Sequence, residues 1–143
     1  MSIALDRLLD WYQNLSPASV DRVSEFYTKD AYFKDPFNEF KSREDIRQTY
    51  LHMFRTLDNP RFFIEKTATE GRQSFAIWHM EFSLNGKCMR IRGCSHFEFN
   101  ADGLVQSHRD YWDAAEEFYE KLPVLGMVLR VIKRRVKTPT TQG

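Results

Sequence analysis

The sequence predicts an α+β fold, with three N-terminal-half helices packed on one face of a curved, mostly antiparallel sheet and a C-terminal helical extension. Three observations predict it. Apolar residues recur at helical spacing as far as about Leu57, and from Phe62 onward the period falls to two. The alternating part is punctuated by Asn85-Gly86 and Asp102-Gly103, both turn dipeptides. At 143 residues the chain can bury a real core. The expected organisation is one domain over 1–120, a basic amphipathic helix over 121–137 and a flexible polar tail over 138–143.

Ile3, Leu5, Leu8, Leu9, Tyr12 and Leu15 form the stripe of a first helix. Ser16-Pro17 ends it and opens a second, with Ser16 suited to capping and Pro17 to the first helical position. Val20, Val23, Phe26 and Tyr27 make its stripe. Ala31 to Asp35 reads as a short strand. Ser42 with Asp45 then opens a third helix, about Arg43 to Leu57, carrying Ile46, Tyr50, Met53, Phe54 and Leu57 on one side. Asn59-Pro60 ends that helix. Four strands follow as an antiparallel meander: one around Phe62-Phe63-Ile64, one through Phe75 to Leu84, one from Met89 to Asn100 and one from Leu104 to Asp113.

Composition narrows the function classes. The formal net charge of +1 gives no electrostatic case for nucleic acid as a partner. Two cysteines, Cys88 and Cys94, have neither disulfide-scaffold density nor zinc spacing, no metal-ligand pattern is visible, and no phosphate loop exists. Chemistry here is expected to need no cofactor. No signal peptide is visible, and no apolar run approaches the roughly 20 residues of a membrane span. A reducing cytoplasm is the expected location. Aromatic residues reach 15%, with twelve Phe, six Tyr and three Trp, which favours an aromatic-walled interior.

Three motifs carry a resemblance: Ala31-Tyr32-Phe33-Lys34-Asp35-Pro36, Ser95-His96-Phe97-Glu98-Phe99-Asn100, and Arg109-Asp110-Tyr111-Trp112-Asp113. In this order they resemble the NTF2-like superfamily, the cone-shaped fold of steroid isomerases, SnoaL-type polyketide cyclases and limonene-epoxide hydrolases. The resemblance covers about Leu5 to Asp113. It puts Asp35 where the isomerases keep a proton-shuttling aspartate, and Trp11 or Tyr12 near their oxyanion-binding tyrosine. Ser95 stands where their second oxyanion donor, a protonated aspartate, would be. A serine hydroxyl is the poorer donor, which argues against steroid isomerisation. The last strand resembles the one on which epoxide hydrolases carry a catalytic aspartate, here Asp110. SnoaL-type cyclases hold a base near there with a histidine on the next strand, for which His96 is the candidate. The Arg-x-Asp pair of the hydrolases has only His79-Met80-Glu81 as its nearest counterpart.

Strand parity sorts these residues independently of resemblance. Placing the apolar faces inward puts Trp78, Met80, Phe82, Ser95 and Phe97 inside, with His108, Asp110 and Trp112 on the matching face of the last strand. His79, Glu81 and His96 then fall on the outer face. The expected catalytic set is Asp35, Asp110, His108 and Tyr12. The expected ligand-binding set is Trp11, Phe54, Trp78, Met80, Phe82, Ser95, Phe97 and Trp112. A carboxylate desolvated among aromatic rings suits acid–base work near neutrality. For each polar residue a structural reading competes: Asp35 as a turn cap, Asp110 as a buried carboxylate bonded locally, His108 as a satisfied core histidine.

Two functions stay open. One is isomerase, cyclase or epoxide-hydrolase chemistry on an apolar cyclic small molecule. The other is a non-catalytic ligand-binding or dimeric interaction module. A homodimer through the amphipathic outer sheet face is expected in both. The extension from Leu122 to Lys137 either packs on the protein or holds an anionic membrane or acidic partner, packing being preferred.

Overall fold

Helix α1, Ile3–Gln13, begins where the Ser2 hydroxyl accepts from the Leu5 amide, and it buries Leu5, Leu8, Leu9, Trp11 and Tyr12. The computed structural model describes residues 2–117 and 123–136. They fall into two compact units, divided between Trp112 and Asp113. The expected second helix is a short 3-10 helix, Ser19–Glu25. Ser16 and Ser19 exchange amide-to-hydroxyl bonds, 2.8 and 3.2 Å, ahead of it. That local pairing competes with a regular α-helical start at Pro17.

Strand β1 runs Tyr27–Lys34, longer than expected, and β2 is an unanticipated short partner, Glu39–Lys41. The pairing of β1 with its parallel neighbour shifts register between Tyr27 and Tyr32. Tyr27, Ala31 and Phe33 are therefore buried across a polar Thr28-Lys29-Asp30 run, which hides the strand from any alternation rule. Helix α2, Arg43–Thr56, starts at the expected Ser42 cap, whose hydroxyl accepts from the Asp45 amide at 3.3 Å. Strand β3, Asp58–Glu70, takes in Asn59-Pro60, and its outer half is polar and exposed. At a sheet edge such polarity discourages pairing with other chains.

Strands β4, Gln73–Leu84, β5, Lys87–Phe99, and β6, Val105–Tyr111, complete the antiparallel meander. Asn85 and Gly86 both take positive φ, 51° and 77°, in the two-residue turn between Leu84 and Lys87. The six-stranded order is β2-β1-β6-β5-β4-β3, mixed because β1 lies parallel to β6. A main core gathers under α1, the 3-10 helix and α2; a second cluster holds Trp78, Phe82 and Ile91.

The second unit contains α3, Ala114–Glu117, capped by the Asp113 carboxylate, and α4, Pro123–Val136, the expected basic helix, with Lys133, Arg134 and Arg135 in its last turn. The expected tail over 138–143 lies outside the described residues. Among the described residues no helix is long and apolar enough to cross a membrane.

Candidate functional site

Parity on β4, β5 and β6 brings Trp78, Ser95, Phe97, His108 and Asp110 to one face, where they meet Leu9 and Tyr12 of α1 and Tyr50 of α2. Phe62 and Ile64 of β3 and Ala76 of β4 complete the walls of a narrow cavity. The volume in which the centre of a water molecule can sit is about 20 Å³. That suffices for about one water.

Its polar floor is a continuous hydrogen-bond chain. Trp78 donates its indole N–H to Ser95 Oγ at 2.8 Å, and Ser95 donates in turn to Asp110 Oδ1. His108 Nε2 lies 2.6 Å from the same Oδ1. An ionised carboxylate only accepts, so Nε2 donates to it. The Tyr27 hydroxyl lies 2.7 Å from Nδ1. The Tyr12 hydroxyl bonds that of Tyr27, and Tyr50 lies 2.8 Å beyond Tyr12. No hydrogen bond reaches Asp110 Oδ2 from the described residues, and the Asp110 side chain is 14% exposed. The Ser95 and His108 bonds both hold the same carboxylate oxygen.

Burial, first of all, pushes the hydroxyls of Tyr12, Tyr27 and Tyr50 well above the ordinary phenol range. The Asp110 charge pushes all three further the same way, while the hydrogen bond from Tyr27 to Tyr12 and that from Tyr12 to Tyr50 pull Tyr12 and Tyr50 partly back. All three are therefore neutral hydroxyls at neutral pH, able to donate one proton each.

Of the expected site residues, the structure brings together Tyr12, Trp78, Ser95, Phe97, His108 and Asp110. It does not bring Asp35 to them. Asp35 Oδ1 accepts from the Phe37 and Asn38 amides at 2.8 and 2.7 Å and from the Asn38 side chain, closing the β1–β2 turn. Asp35 is not among the cavity-lining residues: Pro36 bends the chain so that the carboxylate satisfies turn amides.

Five expected ligand contacts also lie elsewhere. Trp11 stacks on Phe26 at 4.9 Å and donates to the Ser19 carbonyl. Phe54 lines an outer groove with Leu15, Leu57 and Pro60, which shares Tyr12 and Phe62 with the cavity wall. Met80 and Phe82 belong to the second apolar cluster, and Trp112 sits edge-on to Phe37 at 5.5 Å. His79 and His96 are on the outer face as expected, His79 bonded to Glu65 and His96 stacked on Phe75 at 4.7 Å. His96 cannot pair with Asp110 from there.

Tyr27 and Tyr50 are the polar residues that sequence reasoning missed as site members. Both stood on apolar stripes. The available signal was the phenol itself, because a buried tyrosine hydroxyl needs a partner and three such tyrosines invite each other. Among the described residues no group of three or more His, Cys, Asp or Glu is placed to hold a metal ion.

The SnoaL-like domain family matches residues 8–108 of the chain. No curated protein matches it in sequence. Among solved structures, an epoxide hydrolase of the limonene-epoxide-hydrolase-like type from M. tuberculosis superposes with a TM-score of 0.66 at 18% identity, over 90% of this chain and 92% of that one. A protein of ketosteroid isomerase-like fold from Catenulispora acidiphila, solved with trimethylamine, gives 0.69 at 12% identity over 82% and 90%. An NTF2-like protein from Burkholderia pseudomallei gives 0.71 at 14% identity over 81% and 95%.

Proposed function

The chain belongs to the SnoaL-like domain family of the NTF2-like superfamily, and from that premise we propose that it is a cofactor-independent acid–base enzyme acting on a small apolar molecule, with Asp110 as its base. One observation carries the reading. Ser95 and His108 both bond Asp110 Oδ1, and Asp110 lines the cavity. A base must be held still next to its substrate, and this carboxylate is held from two sides. Room for about one water next to it favours activation of water, as in epoxide opening, over isomerisation or cyclisation. The M. tuberculosis neighbour is an epoxide hydrolase of this fold, which supports the same choice.

The test is turnover of a panel of small cyclic epoxides by the full chain and by Asp110→Asn. The amide keeps the shape and loses the base, so the rate should fall roughly 10²–10⁴-fold. Equal rates would remove Asp110 from the chemistry.

The small size of the cavity favours a second reading, a ligand-binding module with no chemistry. Epoxides that raise the melting temperature without being turned over would select it. A homodimer belongs to either reading. Ile77, Cys94 and Tyr111 are cross-strand neighbours on the outer face, and Phe75, Ile77 and Tyr111 are substantially exposed there. Sedimentation at micromolar concentration as a monomer would exclude it.

A further inference from the structure

Charge is divided unevenly along this chain. Residues 121–143 hold six Lys or Arg and no Asp or Glu, which leaves fifteen cations against twenty acids in residues 1–120. A net charge of +1 therefore conceals an acidic domain joined to a strongly basic end. Helix α4 carries four of the six cations, Arg130, Lys133, Arg134 and Arg135, and no acid.

The same helix has an apolar side. Met127, Val128, Val131, Ile132 and Val136 recur at helical spacing and are between 40% and 79% exposed. A helix of 14 residues that contains Gly126 and several β-branched side chains is marginal in water by itself. It needs a surface on which to lay that stripe.

Length and charge select the surface. At 1.5 Å per residue α4 is about 21 Å long, short of the roughly 30 Å hydrocarbon core of a bilayer, and its cations bar it from spanning one. Arg130, Lys133 and Arg134 stand at i, i+3 and i+4, away from the apolar stripe. Arg135 falls within the stripe, where its long stem can lie among apolar groups while the guanidinium reaches back to a polar layer. Acyl chains suit the apolar side, and lipid phosphates and carboxylates suit the basic one. A second copy fits worse, because two such helices side by side would set four cations against four.

We propose that α4 is a membrane-surface anchor, lying in the headgroup layer of an anionic lipid bilayer with Val128, Val131 and Ile132 toward the acyl chains and Arg130, Lys133 and Arg134 on lipid anions. Residues 1–120, with their excess of acids, are repelled by the same surface, so attachment depends on α4 and weakens with salt. Apolar small molecules concentrate in bilayers. The anchor would hold the domain beside a reservoir of the ligand class proposed above, although docking itself does not depend on that reading.

Flotation of the full chain with phosphatidylcholine vesicles containing phosphatidylserine, against phosphatidylcholine alone, tests the anchor near physiological salt. Each cation at an anionic surface strengthens binding about fivefold, so four predict a preference of roughly 100-fold or more for the anionic vesicles. Arg134→Glu with Arg135→Glu should abolish that preference, and molar salt should largely abolish it in the wild type. Val128→Asp with Ile132→Asp should weaken binding to the anionic vesicles by more than about tenfold. All four positions are exposed, so thermal unfolding should be unchanged in both variants, and salt on the wild type needs no variant at all. A wild-type chain that does not float, or that binds both vesicle types equally, would overturn the proposal. So would an arginine variant that floats as the wild type does. A dimer dissolved by Val128→Asp with Ile132→Asp, without flotation, would assign the face to a second copy instead. Binding to poly-glutamate without flotation would assign it to an acidic protein.

Discussion

Gly93→Ala is a single methyl group added at the support of the site, and its effect can be worked out from distances. Gly93 pairs directly with Trp78 across β4 and β5, and the indole lies flat over its missing side chain. A Cβ there would sit 2.6 Å from Trp78 Cζ2, 2.7 Å from Cη2 and 3.1 Å from Cε2. Carbon atoms in contact rest about 3.5–4.0 Å apart, so the ring must retreat by about 1 Å. Trp78 is 6% exposed and packed against Phe62, leaving little slack. Overpacking of this kind costs about 1–3 kcal/mol. A displacement of that size also stretches the 2.8 Å bond to Ser95 beyond hydrogen-bond range. Its loss adds about 1 kcal/mol. With about 3–4 °C lost per kcal/mol for a chain of this length, the melting temperature should fall by roughly 6–15 °C. Thermal unfolding followed by circular dichroism gives that number, and the Trp78 indole N–H resonance reports the broken bond. As a control, Gly71→Ala adds a Cβ that meets nothing but must hold φ at 59°, for about 1–2 kcal/mol. A Gly93→Ala protein melting within a degree or two of the wild type, with its indole resonance unmoved, would refute this account of the Trp78–Ser95 support.

Two more outcomes follow from the buried chain and its wall. Tyr12, Tyr27 and Tyr50 have their hydroxyls raised above the unfolded value of about 10. Their contribution to stability is therefore complete below about pH 10 and is lost as pH rises through the folded values. Phenolate absorbance should show three of the six tyrosines ionising only with cooperative alkaline unfolding, and a smooth titration of all six would contradict this. Phe62 stands in the walls of both the narrow cavity and the outer groove. Phe62→Ala should join them, costing about 3–5 kcal/mol in stability while admitting larger apolar ligands; a thermal-shift screen that finds no gain in ligand size would argue against Phe62 as the partition.

What the sequence made legible was whatever follows from a short-range rule. The Ser42 cap, the Asn85-Gly86 turn and the inward parity of Trp78, Ser95, Phe97, His108 and Asp110 each depend on residues a few positions apart. Tyr27 reads as helical because the irregular pairing of β1 with β6 interrupts its alternation. Strand β2 is three residues long and has no pattern of its own. Its position before Pro36 points Asp35 to the pocket, yet the same proline makes the turn whose amides take up the carboxylate. Sequence position gave the acid its address but not the direction of its oxygens. The tyrosine chain joins α1, β1, α2 and β6, and such a meeting of four elements has no sequence period to reveal it.

The parallel seam between β1 and β6 also sets an order of assembly. The β3–β4 and β4–β5 hairpins close through two-residue turns, whereas joining Tyr27 to His108 closes a loop spanning 81 positions. By (3/2)RT ln n that closure costs about 4 kcal/mol in chain entropy before any contact repays it. Distant pairings of this kind slow folding. During synthesis, the N-terminal helices and strands β3 to β5 can gather while β6 is still inside the ribosome. The hydrogen-bonded floor that joins Asp110 to Tyr50 is then the last part of the domain to be completed, and a chain stopped before Val105 could build most of the layers without ever acquiring it.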